Sequence, residues 1–159
     1  MLKGKNIVLR SLQDSDLDFL ERIENNKENW QFGSERKQFN KEELLTYIAN
    51  AKIDIKVAKQ YRFVIDLNSV PIGFIDLFDY TVDSAGVGVI ISKDYRNKGF
   101  AKEALTLITN YGFNLLKFQK LYCSIVKDNL SSTKLFASCG FELEKEGKNL
   151  QYFAKFAIS

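Results

Sequence analysis

Apolar residues recur along the chain at two different spacings, which divide it into helical and extended segments. Residues 7–10 are predicted to form a short strand. The segment after it has apolar residues at helical intervals: Leu17, Phe19, Leu20 and Ile23. Asp14 or Ser15 is the expected N-cap of this helix. A second helix is predicted to begin at Asn40, because Asn40 and Glu43 have the spacing of a capping box.

From residue 61 the spacing of apolar residues changes from a helical one to short runs bounded by turn residues, which are typical of strands. Three successive antiparallel strands are predicted, at residues 61–67, 71–80 and 85–92, with turns at Asn68-Ser69 and near Asp83-Ser84. The pattern then predicts a long helix from about residue 99 to 116, a strand at 120–126, a short helix at 131–138 and a hairpin formed by 141–147 and 150–159.

The predicted order is β-α-α-β-β-β-α-β-α-β-β. It describes one mixed α/β domain over residues 1–159, with a single, largely antiparallel sheet and about four helices. One strand–helix–strand crossover is expected, from about residue 87 to 126.

Composition narrows the functions that such a domain can have. The chain has 159 residues, 45% of them hydrophobic, which is enough for one packed core. A net charge of +3, with lysine and arginine scattered, does not favour a nucleic-acid partner. The absence of histidine excludes histidine-based catalytic triads and most zinc sites. The two cysteines, Cys123 and Cys139, lack metal-ligand spacing, so no metal is expected.

The N-terminus and the hydropathy pattern bear on location. The first ten residues lack the apolar segment of a secretion signal, and no run approaches the ~20 apolar residues of a membrane span. With only two cysteines in addition, the sequence predicts a cytoplasmic protein without a membrane partner.

The start of the long helix has an unusual charge pattern. In residues 95–105, YRNKGFAKEAL, Arg96 and Lys98 lie at a helix start, where the backbone dipole is already positive. A loop of this kind directs backbone N–H groups outward and can bind phosphate. Gly99 would let the backbone approach a ligand closely. A solvated loop with Gly99 as a turn residue is the alternative, and the spacing alone does not separate the two.

Two segments resemble motifs of the GNAT superfamily of acetyl-CoA-dependent N-acetyltransferases. RNKGFA, residues 96–101, resembles the motif Arg/Gln-x-x-Gly-x-Gly/Ala. DNLSSTKLFASCGF, residues 128–141, resembles the segment Asn-x-x-Ser/Ala-x-x-Leu-Tyr-x-x-x-Gly-Phe. The N-terminal NIVLRSLQDSDLDFL looks like the subgroup that acetylates ribosomal-protein N-termini and polyamines, and residues 73–105 look closest to spermidine and diamine acetyltransferases. The resemblance implies a GNAT fold, in which the middle strands of the sheet splay apart.

The resemblance also implies where acetyl-CoA would bind as co-substrate. The CoA pyrophosphate is expected at Arg96, Asn97, Lys98, Gly99, Phe100, Ala101 and Lys102. The pantetheine arm is expected along the backbone of Val89, Ile90 and Ile91. An N–H of Ile90 or Ile91 would stabilise the oxyanion, which such a donor can do by ~3 kcal/mol. Gly86 and Gly88 either make room for the arm, or they only ease packing or mark a bulge.

Three residues of the second motif take their roles from the resemblance. Asn129 corresponds to an asparagine that holds pantetheine or substrate amides, although it is equally suited to cap a helix. Ser132 corresponds to a serine near the thiol, although a capping or surface serine is the commoner role. Phe136 replaces the tyrosine that protonates the CoA thiolate in much of the superfamily, so Ser132 or water would supply the proton, or catalysis is weak.

The acceptor amine is protonated at neutral pH, so a carboxylate or a carboxylate-bound water must remove its proton. Asp76 and Asp79 lie on the strand before the cofactor strand, and their spacing puts them on opposite faces. Asp76 is the preferred base, with a water-exposed aspartate as the alternative. The candidate acceptor-binding residues are Trp30, Glu35 and Tyr80, with Glu28 and Phe32 nearby.

The sequence therefore predicts direct acetyl transfer from acetyl-CoA to a primary amine, either of a small polyamine such as spermidine or of a peptide N-terminus. An acyl-CoA-binding module with weak chemistry is the alternative, because of Phe136. The aromatic strand at residues 150–159 could pair between subunits of a homo-oligomer.

Overall fold

The computed structural model describes residues 1–27 and 38–158. These residues form eight strands: Leu2–Lys3 (β1), Val8–Ser11 (β2), Tyr61–Leu67 (β3), Val70–Phe78 (β4), Ser84–Ile91 (β5), Lys120–Val126 (β6), Glu142–Glu146 (β7) and Leu150–Phe156 (β8). They lie in one sheet in the order β1-β2-β3-β4-β5-β6-β8-β7. All neighbours are antiparallel except β5 and β6, which are parallel. The predicted mixed α/β fold with a largely antiparallel sheet is confirmed.

Within the described residues there are five α-helices: Leu17–Glu24 (α1), Lys41–Asn50 (α2), Ile55–Ala58 (α3), Phe100–Asn114 (α4) and Leu130–Ser138 (α5). The first two pack on one face of the sheet, against the buried side chains of Val64 and Phe74. The last two contribute to a larger core on the opposite face, which includes Leu77, Leu105 and Phe136. The two faces of the sheet are therefore covered by different pairs of helices.

Two predicted local features are confirmed. Asn68 and Ser69 join β3 to β4 with φ of 51° and 70°, the two positive values that a tight type I′ hairpin requires. Asn40 caps α2: its side chain accepts from the N–H of Glu43 at 2.8 Å, and the Glu43 carboxylate accepts from the N–H of Asn40 at 3.3 Å. These short-range interactions depend on a few neighbouring residues, so the sequence is sufficient to predict them.

Three features differ from the prediction. The strand β1 and the one-turn helix α3 were not expected, because two to four residues are too few to show a period. The predicted N-cap of α1, Asp14 or Ser15, is wrong. Residues Asp14–Asp16 form a 3₁₀ turn instead, and Asp16 occupies the cap position. Its buried carboxylate accepts from Arg10 and from the N–H of Gln13.

The C-terminal strand β8 lies inside the sheet. It pairs with β6 over Leu150–Phe156 and with β7 along its other edge. The expectation that this strand could pair between subunits is therefore wrong, because its backbone groups are used within the chain.

Candidate active site

The sheet splits between its two parallel strands. Strand β5 pairs with β6 only through Ser84, Ala85 and Gly86, whereas its pairing with β4 runs from Gly86 to Ile91. Within residues 1–27 and 38–158, no strand thus pairs with Val87 to Ile91 on the β6 side. The splayed middle strands that the resemblance implies are confirmed, and the gap opens towards the carboxyl ends of both strands.

Both strands lead into helices at this open end. Strand β5 continues through residues 92–99 into α4, and β6 continues through residues 127–129 into α5. Helix starts present unpaired backbone N–H groups, and crevices at the carboxyl ends of parallel strands are common ligand sites. The gap is therefore bordered by two helix N-termini and by the free edge of β5.

Hydrogen bonds at the end of β5 show which peptide groups face the gap. The N–H of Ser92 donates to the carbonyl oxygen of Ile72 in β4, and the carbonyl oxygen of Ile91 accepts from Arg96 instead. Peptide groups of successive residues point to opposite edges of a strand. The N–H of Ile91 therefore lies on the gap side, whereas that of Ile90 faces β4. Of the two predicted oxyanion donors, Ile91 has the suitable direction.

The loop before α4 has the backbone geometry of a ligand cradle. Asn97 has a φ of 61° and Gly99 a φ of 87°, so two residues adopt the left-handed conformation within three positions. A Cβ added at Gly99 would have no heavy atom of the described residues within 4 Å, so the space beside this glycine is open to that extent. The first amides of α4, from Phe100 to Lys102, follow directly. This arrangement suits an anion of the size of a phosphate group.

The side chains of this loop divide into two kinds. Asn97, Lys98 and Lys102 are exposed, with the Lys98 ammonium 5.8 Å from the ring centre of Tyr95. Phe100 and Ala101 are half-buried and pack against the larger core, so their polar groups available to a phosphate are those of the backbone. The Arg96 Nε donates to the carbonyl oxygen of Ile91 at 2.8 Å.

This contact gives Arg96 a structural role that sequence reasoning missed. The hydrogen bond ties the loop to the end of β5. The cation is held close to the phosphate cradle by the same contact.

Helix α4 is also anchored at its first turn, which sequence reasoning did not predict. The Glu103 carboxylate accepts from the N–H groups of Asn6 and Ile7 at 2.8 and 2.9 Å, and from the Asn6 side chain at 2.9 Å. Partial burial would raise the pKa of Glu103, but these hydrogen bonds outweigh it and the pKa is lowered. The N-terminal turn and the start of the candidate phosphate-binding helix are thereby joined.

Across the gap, α5 begins with the predicted asparagine. The Asn129 side chain caps the helix by accepting from the N–H of Ser132 at 3.2 Å. Its capping role is thus present in the structure, and Ser132 lies half-buried in the same first turn. Phe136 is 3% exposed and packs edge-on against Phe141, with ring centres 5.1 Å apart.

Asp76 lies in the middle of β4, directly across from Arg62 in β3 and Gly88 in β5. Arg62 holds both of its carboxylate oxygens, from Nε at 2.8 Å and from Nη2 at 2.9 Å. The third nitrogen of the guanidinium, Nη1, donates to Glu24 at 2.5 Å. Sequence reasoning missed Arg62 and Glu24, because the contact depends on strand register and on how α1 packs on the sheet.

The two glycines of β5 that face the Asp76 side differ in their surroundings. A Cβ at Gly86 would lie 2.3 Å from the ring of Phe78, so this glycine makes room for a side chain of the protein itself. A Cβ at Gly88 would meet only one atom of Phe78, at 3.8 Å. As far as the described residues are concerned, the space above Gly88, on the face of the sheet that carries Asp76, is therefore open.

Tyr80 and Asp79 are not brought to this point. Tyr80 packs edge-on against Phe118, with ring centres 5.7 Å apart, as part of the core under α4. Asp79 is exposed beyond the end of β4. Trp30 and Glu35, with Glu28 and Phe32, lie outside the described residues.

The other reactive side chains are two cysteines, of which Cys123 lies in β6 just beyond the last residue paired with β5. Both cysteines are free thiols, and burial raises the pKa of Cys123 to about 12. In residues 1–27 and 38–158, cysteine and carboxylate side chains do not gather into a group of three or more that could hold a metal. Over the same ranges, every helix is too short or too polar to cross a membrane.

The fold and the gap define a protein that can hold an extended, phosphate-bearing ligand against a free strand edge. A model of the GNAT acetyltransferase domain matches residues 6–142. The chain therefore belongs to the GNAT acetyltransferase family, and it is an N-acetyltransferase by family and fold.

Sequence relatives agree with this assignment. The chain is 28% identical over 141 residues to spermidine N(1)-acetyltransferase of Vibrio cholerae, covering 87% of this chain and 80% of the relative. It is 27% identical over 154 residues to the enzyme of the same name from Escherichia coli K12, covering 92% and 78%. Acetyltransferase PseH of Campylobacter jejuni is 30% identical over 152 residues, covering 96% and 92%.

Solved structures share the fold. Spermidine N-acetyltransferase of Vibrio cholerae, in complex with CoA and spermine, superposes with a TM-score of 0.85 at 23% identity and covers 96% of each chain. A Vibrio cholerae protein assigned as a ribosomal-protein-serine acetyltransferase superposes with a TM-score of 0.79 at 20% identity, covering 98% of this chain and 96% of that one. At these identities the likeness concerns the fold.

Proposed function

We propose that this protein transfers an acetyl group from acetyl-CoA to a primary amine, with a small polyamine as the preferred acceptor. The observation that carries the proposal is the free edge of β5 beside the open phosphate cradle at Gly99. The pyrophosphate would bind the amides of residues 97–102, with Arg96, Lys98 and Lys102 beside it. The pantetheine arm would run along Val89, Ile90 and Ile91. Acetyl-CoA supplies the activated acetyl group.

The charges beside the open space above Gly88 favour a cationic acceptor. Two carboxylates, of Asp76 and Glu24, share the single guanidinium of Arg62. The Asp76 carboxylate beside this space can attract an ammonium group, because opposite charges interact strongly in a partly buried setting. The spermidine acetyltransferases among the relatives support a polyamine over a peptide N-terminus.

In this proposal each residue has a defined task. Asp76 binds the ammonium and accepts its proton, directly or through water, so that the amine nitrogen can bond to the carbonyl carbon. The N–H of Ile91 stabilises the charge that develops on the carbonyl oxygen. The carbon–sulfur bond then breaks, and the departing thiolate takes a proton from Ser132 or from water, because Phe136 has none to give.

The direct test is release of CoA thiol from acetyl-CoA in the presence of an amine panel. Spermidine and spermine should support turnover, and a peptide N-terminus and an aminoglycoside should do so less well. Absence of thiol release with every amine would contradict the proposal.

Two glycine variants separate a cofactor effect from a folding effect. Gly99 and Gly140 have φ of 87° and 90°, so alanine strains the backbone similarly at both, by about 1–2 kcal/mol. Only Gly99→Ala is expected to weaken acetyl-CoA binding, because Gly140 lies at the end of α5 next to Lys155. Equal loss of binding in both variants would speak against the cradle.

A second function, an acyl-CoA-binding module with weak chemistry, is favoured by one observation. Phe136 is buried in an aromatic pair with Phe141, so no acid stands at the position where much of the superfamily has tyrosine. Tight acetyl-CoA binding without amine-dependent turnover would support this function. A rate gain of about 10²-fold in Phe136→Tyr would show that the missing hydroxyl limits the reaction.

A further inference from the structure

The side chain of Arg62 occupies an unusually constrained position. Its guanidinium lies 4.7 Å from the ring centre of Phe74 and 5.6 Å from that of Tyr47, and its side chain is 17% exposed. Three of its nitrogens donate to carboxylates, two to Asp76 and one to Glu24. With rings beside it and hydrogen bonds at its end, the guanidinium has one available orientation.

This single side chain connects four elements. Arg62 is in β3, Asp76 in β4, Glu24 is the last residue of α1, and Tyr47 is in α2. Burial and the nearby carboxylates raise the pKa of Tyr47 to about 12 against the opposing effect of Arg62, so the ring adds no charge at neutral pH. The position of the Asp76 carboxylate is thus set by a cation that α1 also holds.

We infer that Arg62, anchored by Glu24, is a positioning residue for acceptor binding: it fixes the Asp76 carboxylate beside the open space above Gly88. The inference rests on the proposed function, because it assigns a role to residues behind the same acceptor site. Arg62 itself does not touch the reacting atoms. It acts through Asp76, and a small displacement of a positioned group can lower the rate about 10²-fold.

The chain contains a matched control for this cluster. Arg10 also joins two carboxylates: it binds Asp16 through Nη1 and Nη2, both at 2.8 Å, and Asp66 through Nε at 2.7 Å. Its side chain is 14% exposed, close to the 17% of Arg62. Arg10 lies in β2, which is separated from β4 by β3. Loss of either arginine thus breaks a similar ion-pair cluster, but only one of them is next to Asp76.

The experiment measures amine kinetics, acetyl-CoA affinity and unfolding temperature for Arg62→Met, Arg62→Lys, Glu24→Gln and Arg10→Met. Arg62→Met is expected to lower kcat/KM for spermidine by about 10–100-fold, with acetyl-CoA affinity unchanged. Arg62→Lys should lower kcat/KM for spermidine less than Arg62→Met does, because lysine keeps the positive charge but cannot bind the carboxylate in a bidentate manner. Glu24→Gln should also lower kcat/KM for spermidine, but by less than Arg62→Met does. Arg10→Met should lower the unfolding temperature with normal amine kinetics.

Several results would overturn the inference. Equal kinetic effects in Arg62→Met and Arg10→Met would show that both arginines only stabilise the fold. If Arg62→Met weakens only acetyl-CoA binding, Arg62 affects the binding of acetyl-CoA and not that of the acceptor amine. If Arg62→Met does not fold, normal amine kinetics in Arg62→Lys and Glu24→Gln would also overturn the inference. Absence of turnover in the wild-type protein would overturn the proposed function and this inference together, whereas normal wild-type turnover with unaltered variants overturns the inference alone.

Discussion

At the scale of single residues, the space above a glycine decides what that glycine is for. Gly86 and Gly88 lie two positions apart on β5 and face the same side of the sheet. The ring of Phe78 fills the space above Gly86, whereas the space above Gly88 is open beside Asp76. One glycine therefore serves packing, and the other leaves room for a ligand.

Alanine at each of these glycines should separate the two roles. Gly86→Ala is expected to lower the free energy of unfolding by about 1–3 kcal/mol, because its Cβ would lie 2.3 Å from the Phe78 ring. Gly88→Ala should not lower it and is expected to raise it by about 0.4–1 kcal/mol, since the nearest described atom is 3.8 Å away and alanine loses less backbone entropy on folding. Urea unfolding of both variants measures the difference. Equal destabilisation would contradict the assignment.

The same scale explains why Asp76 could be named from the sequence while its partners could not. A carboxylate on the strand before the cofactor strand is visible in the alternation of polar and apolar residues. Its pairing with Arg62 follows from the register of β3 against β4, and Glu24 joins only because α1 packs on that face. Register and packing depend on the whole sheet, which no local pattern encodes.

At the scale of elements, α4 is held by a contact that crosses most of the chain. The Glu103 carboxylate accepts three hydrogen bonds from Asn6 and Ile7 in the turn between β1 and β2. A Cβ at Gly4 would lie 2.3 Å from the same carboxylate, so the turn fits closely around it. Residues near the N-terminus therefore help to fix the start of the candidate phosphate-binding helix.

This contact predicts a pH-dependent stability. The pKa of Glu103 is lower in the folded protein than its ordinary value of 4.5. The stabilising effect is therefore present above that value and is lost as the pH falls through the lower, folded pKa. Glu103→Gln is expected to lower the free energy of unfolding by about 1–2 kcal/mol at pH 7, since the group is partly exposed. The difference in the free energy of unfolding between Glu103→Gln and wild type should become smaller below about pH 4.5.

Glu42→Gln provides the matched control. Glu42 is also an acidic residue in the first turn of a helix, but it is exposed on α2. Its replacement should change the free energy of unfolding little. A Glu103→Gln difference that stays constant from pH 7 down to pH 3 would contradict the assigned contact.

Elements long enough to repeat their spacing of apolar residues several times were predicted closely, whereas the shortest elements were missed. The strands Tyr61–Leu67 and Lys120–Val126 agree with the predicted bounds residue by residue. Strand β1 and helix α3 were missed, and the 3₁₀ turn ahead of α1 moved its cap to Asp16. The capping of α3 by Asp54 and its end at Lys59, with a φ of 63°, are contacts of single residues rather than of a repeating pattern.

At the scale of the whole molecule, the split between β5 and β6 is the feature on which the proposed chemistry depends. The three residue pairs that join these strands stop at Gly86, and beyond them two helix starts border an open gap. The alternation of residues along β5 does not reveal this split, since a fully paired strand would show the same pattern. The resemblance to the superfamily supplied the expectation of splayed strands, and the sheet topology confirms it.

The central claim is that acetyl-CoA binds along the free edge of β5 with its pyrophosphate at the start of α4. Titration of ¹⁵N-labelled protein with acetyl-CoA, followed through the backbone amide resonances, tests it most directly. We expect saturable shifts at Ile91 and at Phe100–Lys102, whose N–H groups would donate to the ligand. Val64 and Ile65, inside β3, should shift little. Saturable shifts that avoid β5 and the start of α4, or no shifts at all, would contradict the claim.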